Sequence, residues 1–165
     1  MDRSIWYLVI SLIIAGLIVS CGSAGDQENE QSTMHNGFDS LRAAKLGADQ
    51  YGMKKYVMAF LYRGPNRDLD SAKAMELQMA HLENIGRMAE EGKLALAGPF
   101  LDTGDLRGIY IFNVETVEEA KVLTNTDPAI QEGSLEMELK PWYGSAALVE
   151  VNDIHKTLSN KEVTE

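Results

Sequence analysis

The stretch Tyr56-Val57-Met58-Ala59-Phe60-Leu61-Tyr62 is aromatic, β-rich and apolar throughout. Successive side chains of a strand point to opposite faces, so Tyr56, Met58, Phe60 and Tyr62 share one face and Val57, Ala59 and Leu61 the other. A strand apolar on both sides belongs to a sheet that is covered on both sides. This one run therefore predicts a first strand inside a two-faced sheet.

Working outward, Arg63-Gly64-Pro65-Asn66-Arg67 breaks the strand with turn residues. Asp70 is placed to cap a long helix over Ser71 to Glu91, which Gly92 terminates. Leu94-Ala95-Leu96-Ala97 reads as a second strand, stopped by Gly98-Pro99, and Gly108-Ile109-Tyr110-Ile111-Phe112 as a third. Thr116 and Glu119 have the spacing of a capping box for a helix over Val117 to Thr124. Asp127-Pro128 opens a further short turn or helix, ended by Gly133. The alternation Leu135-Glu136-Met137-Glu138-Leu139-Lys140 predicts a fourth strand with one wet face. The order is β-α-β-β-α-β, the ferredoxin-like arrangement of the α+β class, a four-stranded sheet with both helices on one face. Two helices bury only one face. The other requires a cover; a second sheet from a second copy of the chain is the simplest one, so a homodimer with facing sheets is expected, the alternative being the N-terminal segment or the C-terminal tail folded over the sheet.

Towards the N-terminus, Phe38 to Tyr51 holds a short helix capped by Asp39 and ending near Gly47. Before it, Gly22 to Asn36 is polar and reads as a disordered tether, long enough to span roughly 20 Å. Ile5 to Val19 is almost wholly hydrophobic, and Leu17-Ile18-Val19-Ser20-Cys21-Gly22 closes the run with the chain's single cysteine. The run is shorter than the ~20 residues a spanning helix needs and has the form of a secretory h-region. It resembles a bacterial lipoprotein signal with its lipobox, the alternative being a plain signal-anchor helix. The resemblance implies export to the bacterial cell envelope, cleavage before Cys21, lipidation of that residue and anchoring to a membrane. The expected divisions are a signal peptide over 1–20, a lipidated cysteine and tether over 21–36, a helical lead-in over 37–53, a folded domain over 54–150 and a tail over 151–165.

Composition narrows the chemistry. The net charge is −10, which repels phosphate backbones, and no basic patch with interleaved aromatics occurs, so nucleic acid is not an expected partner. His35, His81 and His155 are far apart, without metal-ligand spacing. No Gly-x-Gly-x-x-Gly, phosphate-binding loop or Gly-x-Ser-x-Gly is present. No cofactor or metal is expected.

Five pieces in order, His81-Leu82-Glu83, Glu91-Gly92-Lys93-Leu94, Ala97-Gly98-Pro99-Phe100, Gly108-Ile109-Tyr110-Ile111-Phe112 and Thr126-Asp127-Pro128-Ala129, resemble the YCII-related domain. The resemblance runs from about Lys54 to Val149. It implies a ferredoxin-like fold that dimerises into an α+β barrel, and a His–Asp pair in a pocket. By motif position the pair is His81 and Asp127. The lipid anchor departs from the many small family members that carry no export signal, and argues against a cytoplasmic pathway role.

On a helical wheel, Met75, Met79, Leu82 and Ala89 define the core stripe of the long helix, with Ala74, His81, Ile85 and Met88 along its flank and Glu76, Glu83, Arg87 and Glu90 opposite. His81 thus lies at the edge of the buried arc. An imidazole titrates near ~6.5 and can give or take a proton at working pH; a carboxylate on one nitrogen would set its tautomer and leave the other for a ligand. Each residue also has a plain structural role open to it. Asp127 before Pro128 has the form of a helix N-cap, and His81 can be a flanking histidine bonded to backbone. One aspartate can serve both ends, a cap with one oxygen and an orienter with the other. Tyr62 and Arg63 end the first strand and could edge a pocket, although aromatics and arginines are common at strand ends. Gly98-Pro99 turns or bulges the chain and could also bring backbone near a ligand. Trp142 plugs the core, the alternative being a place in a pocket wall. Met58, Met75, Met79, Met88 and Met137 read as core filler.

Two functions are compatible with these features. One is a cofactor-free lyase, isomerase or dehydrochlorinase-like enzyme, acting by His81 and Asp127 on a small organic molecule. The other is a non-catalytic, dimeric envelope lipoprotein that serves as a binding or assembly module.

Overall fold

The computed structural model describes residues 37–161. The hydrophobic run, Cys21 and the tether lie outside them.

Short-range signals place most elements. Asp39 accepts from the Arg42 N–H and caps helix α1 (Ser40–Leu46). Strand β1 (Met53–Arg63) follows, then helix α2 (Ser71–Glu90), whose cap Asp70 accepts from the Lys73 N–H. Gly92, at φ +66°, carries the chain off that helix through the left-handed region, where a residue without a Cβ meets little strain. Strands β2 (Leu94–Pro99) and β3 (Leu106–Phe112) form a hairpin. The Thr116–Glu119 capping box starts helix α3 (Val117–Thr124), and Asp127 caps the single turn α4 (Pro128–Gln131). Strand β4 (Leu135–Ser145) continues past Lys140, where the sequence alternation stops, because it stays paired with β1 as far as Met53. A 3₁₀ turn (Ala146–Glu150) leads into helix α5 (Val151–Lys156).

The strands form one antiparallel sheet in the order β2-β3-β1-β4. Val57, Ala59 and Leu61 of β1 and Tyr110 and Phe112 of β3 pack against Met88 of α2 and Ala120 of α3. Both long helices therefore lie on one face, and the fold is the α+β, ferredoxin-like one.

The opposite face has two parts. At one end Tyr56, Ala95 and Ile111 are buried under Trp142 and under Leu148 and Val149 of the 3₁₀ turn. Asn152 Nδ2 ties the C-terminal segment down by donating to the Leu94 carbonyl at 2.7 Å. Of the two covers open to this face, a terminal segment thus supplies one end. Further along, Met58, Phe60 and Tyr62, paired with Ile111, Ile109 and Leu106, remain half-buried or at the edge of solvent.

The wheel of α2 requires a correction. The buried residues of this helix are Leu77, His81, Asn84 and Met88, while Met75 is 70% and Met79 36% exposed. The helix is rotated so that a histidine and an asparagine sit in the stripe, and the two methionines are not core filler. Hydropathy counts His81 and Asn84 against burial. For His81, hydrogen bonds to Asp127 and Tyr110 reverse that balance. Asn84 Oδ1 accepts from Thr126 and Arg87, while its Nδ2 is buried without a partner among the described residues.

Candidate active site

Three elements bring one side chain each to a common point. His81 comes from the middle of α2, Asp127 from the cap of α4 and Tyr110 from β3. Asp127 is fixed by its own backbone: its N–H donates to the Thr124 carbonyl, and its carbonyl accepts from Ile130 and Gln131. Pro128 stands at the first helical position, where its missing N–H costs nothing. Tyr110 has room because its cross-strand neighbours are Ala59 on one side and Ala97 on the other; the small residues leave space for a phenol beneath α2.

The Asp127 carboxylate is 0% exposed. Its Oδ1 accepts from the Ala129 N–H at 2.9 Å, which is the cap bond. Its Oδ2 lies 2.7 Å from His81 Nδ1. A carboxylate only accepts, so Nδ1 carries the proton, and in the neutral ring Nε2 holds a lone pair. The Tyr110 hydroxyl is 3.2 Å from that Nε2 and donates to it. The two rings lie nearly parallel, with centroids 6.1 Å apart. Burial pushes the Tyr110 phenol well above its ordinary pKa, and the negative charge of Asp127 pushes it further the same way. Tyr110 is therefore a neutral proton donor at every physiological pH.

His81 and Tyr110 form part of the wall of a cavity of about 390 Å³. Leu61, Leu82, Ile85 and Ala97 make it largely apolar, and Gly98 and Pro99 bring main chain to its rim. Gly108 has to be glycine here, since a Cβ would stand 2.6 Å from the Gly98 carbonyl oxygen. Asp127 does not line the cavity. The order from the interior outward is carboxylate, imidazole, cavity, the geometry in which a base is oriented from behind and meets a ligand on its other edge.

The structure thus joins His81 and Asp127, with one aspartate oxygen on the helix cap and the other on the histidine. Arg63 edges an adjoining cavity. Tyr62 instead directs its hydroxyl to Glu138, and Trp142 packs against Tyr56 with ring centroids 5.8 Å apart. Glu136 and Glu138 are exposed. Tyr110, Gln78 and Arg107 are site residues the sequence analysis missed. For Tyr110 the signal was its hydroxyl in an otherwise apolar strand, since a buried phenol needs a partner. Among the described residues no group of His, Cys, Asp and Glu is arranged to hold a metal ion.

Residues 55–143 match the family model of the YCII-related domain, more than half of the chain. Over 63 residues the chain is 36% identical to Uncharacterized protein YjpA of Bacillus subtilis (strain 168), a match that takes in 38% of this chain and 71% of the relative. Among solved structures it is similar to 5-chloro-2-hydroxyhydroquinone dehydrochlorinase (TftG) from Burkholderia phenoliruptrix AC1100, in complex with 2,5-dihydroxybenzoquinone. That likeness has a TM-score of 0.40 and 19% identity, and covers 52% of this chain and 92% of that one.

Proposed function

From the premise that this chain belongs to the YCII-related domain family, we propose that it binds a small organic molecule in the cavity beside His81 and transfers a proton to or from it without a cofactor. The observation that carries the reading is the buried His81–Asp127 pair at 2.7 Å, set in the wall of a largely apolar cavity. Asp127 holds the imidazole in the tautomer with Nε2 free of a proton, so His81 acts as the base. In an isomerisation His81 returns the proton at a second position; in an elimination it keeps the proton while the leaving group departs with the bond electrons. Tyr110 turns its hydroxyl from Nε2 to an oxygen of the ligand as the ligand enters.

One observation favours a non-catalytic ligand site. Nε2 already has a partner in Tyr110, so both ring nitrogens are satisfied within the protein. Screening the purified protein against small metabolites by thermal shift, followed by turnover assays on every hit, separates the two. A ligand at 100 times its Kd stabilises the native state by about 2.7 kcal/mol. Hits consumed by the protein and not by His81→Gln support catalysis. Hits that bind both proteins and are never consumed leave a binding module.

We further propose that the protein works at a membrane of the bacterial cell envelope, lipidated at Cys21, and as a homodimer. The 15-residue apolar run ending in Ser20-Cys21-Gly22 supports the first. The half-buried apolar side chains Phe60 and Tyr62, on the sheet face away from the helices, support the second. Metabolic labelling with a fatty acid tests the anchor: label should enter the wild type and be absent from Cys21→Ala.

A further inference from the structure

The cavity next to the His81 site carries charge that proton transfer does not use. It has a volume of about 300 Å³ and is lined by Arg63, Arg67 and Arg107, with no carboxylate in its wall. Gln78, Arg107 and Leu135 line both cavities, so the two adjoin. Three arginines lining one concavity stand out in a chain whose net charge is −10.

These cations are held in place rather than neutralised. Arg107 Nη1 donates to the carbonyls of Asp102 at 3.3 Å and Gly104 at 3.2 Å, and Arg67 Nη1 to that of Ser134 at 3.4 Å. Arg63 Nε lies 3.9 Å from Asp105 Oδ1, whose side chain is 89% exposed. An ion pair so open to water contributes little. A guanidinium has five N–H donors, so most of them stay unspent on the protein.

We infer that this basic cavity binds the carboxylate of a small organic acid whose apolar body extends into the adjoining cavity beneath His81. A guanidinium fork matches the two oxygens of a carboxylate in one plane. Leu82, Ile85 and Ala97 then receive the body of the molecule. Arg107, common to both cavities, stands where the anionic end meets the apolar part. Anchoring that end fixes which part of the body faces His81, which is the orientation a proton transfer requires. The inference rests on the reading of the His81 cavity as a ligand site and adds the class of ligand.

The test is calorimetric titration of the purified protein with benzoate, with its neutral analogue benzamide and with inorganic phosphate. Benzoate should bind about tenfold tighter than benzamide, equivalent to roughly 1.4 kcal/mol, and tighter than phosphate. Arg107→Gln should bring benzoate to the affinity of benzamide. Arg107 also tethers the β2–β3 loop, so Arg63→Gln, which breaks no short bond, is the second variant and should weaken benzoate while leaving benzamide unchanged. Benzoate no tighter than benzamide or phosphate, or indifferent to both arginine variants, overturns the inference. His81→Gln separates it from the catalytic reading. Arginine-dependent benzoate binding that persists in that variant, with no substrate ever turned over, removes catalysis and leaves the anion site. Turnover of neutral substrates with no arginine dependence does the reverse.

Discussion

The carboxylate of Asp127, sealed from solvent, meets Nδ1 of His81 at 2.7 Å across 46 residues of chain. Its two oxygens serve two structures at once, one the first turn of α4 and the other the imidazole on α2. Helix cap and histidine orientation are therefore coupled through one side chain. That coupling makes the roles separable by substitution.

Asp127→Asn keeps a good N-cap, because asparagine caps about as well as aspartate, but removes the charge facing His81. It should fold with a loss of roughly 2 kcal/mol, the scale of a hydrogen bond to a charged group. Asp127→Ala should lose about 1 kcal/mol more, the usual worth of a cap. Urea denaturation of both variants checks this, and equal losses would show that the cap bond contributes nothing. If His81 is the base, turnover in Asp127→Asn should drop by about two to four orders of magnitude.

Tyr110 gives a prediction in the alkaline range. Its folded pKa lies above the unfolded value of ~10, so the native state holds this proton more tightly than the unfolded chain does. The associated stability is complete below pH ~10 and declines as pH rises from there towards the folded value. Tyr110→Phe has no such proton. Denaturation midpoints followed from pH 8 upward should fall more steeply for the wild type than for the variant. Parallel curves would mean that the phenol is not shielded as its burial requires.

Gly108 supplies a steric test of the cavity. A Cβ there would lie 2.6 Å from the Gly98 carbonyl oxygen and 3.2 Å from Pro99 Cα. Both are main-chain atoms that cannot turn away as a side chain would. Gly108→Ala should cost roughly 1–3 kcal/mol, the range for overpacking, and should weaken any ligand of the His81 cavity by pushing β2 against its rim. A fully stable variant with unchanged ligand affinity would mean that the hairpin is looser than its register implies.

Phe60 probes the proposed dimer. It is half-buried on the face away from the helices, with Lys140 Nζ 5.8 Å from its ring centroid. Phe60→Glu should turn a dimer into a monomer in sedimentation velocity at micromolar concentration. A wild type that already sediments as a monomer there would exclude the dimer.

Element order and capping were legible in the sequence because their causes are local. Asp39, Asp70, Thr116 with Glu119, and Asp127 before Pro128 each bond to a backbone N–H within three residues, and each caps the helix that its spacing marks. The apolar pattern of β1 placed it inside the sheet for a similar reason, since side-chain alternation is a property of the strand itself. His81 and Asp127 were selected through resemblance to a family, and the wheel alone would have left His81 on the flank of α2. Met75 and Met79 show the limit of that wheel: apolar side chains were assigned to the core, and they face water.

What the sequence determined by itself was the succession of elements, their caps and the presence of a two-faced sheet, all set by interactions that span a few residues. The rotation of α2, the partnership of Tyr110 with His81 and the convergence of Arg63, Arg67 and Arg107 on one cavity were decided only by the tertiary structure. A polar side chain is buried or exposed according to the partner it finds. Here those partners arrive from other strands and helices, so no short window of the chain contains both halves of the interaction.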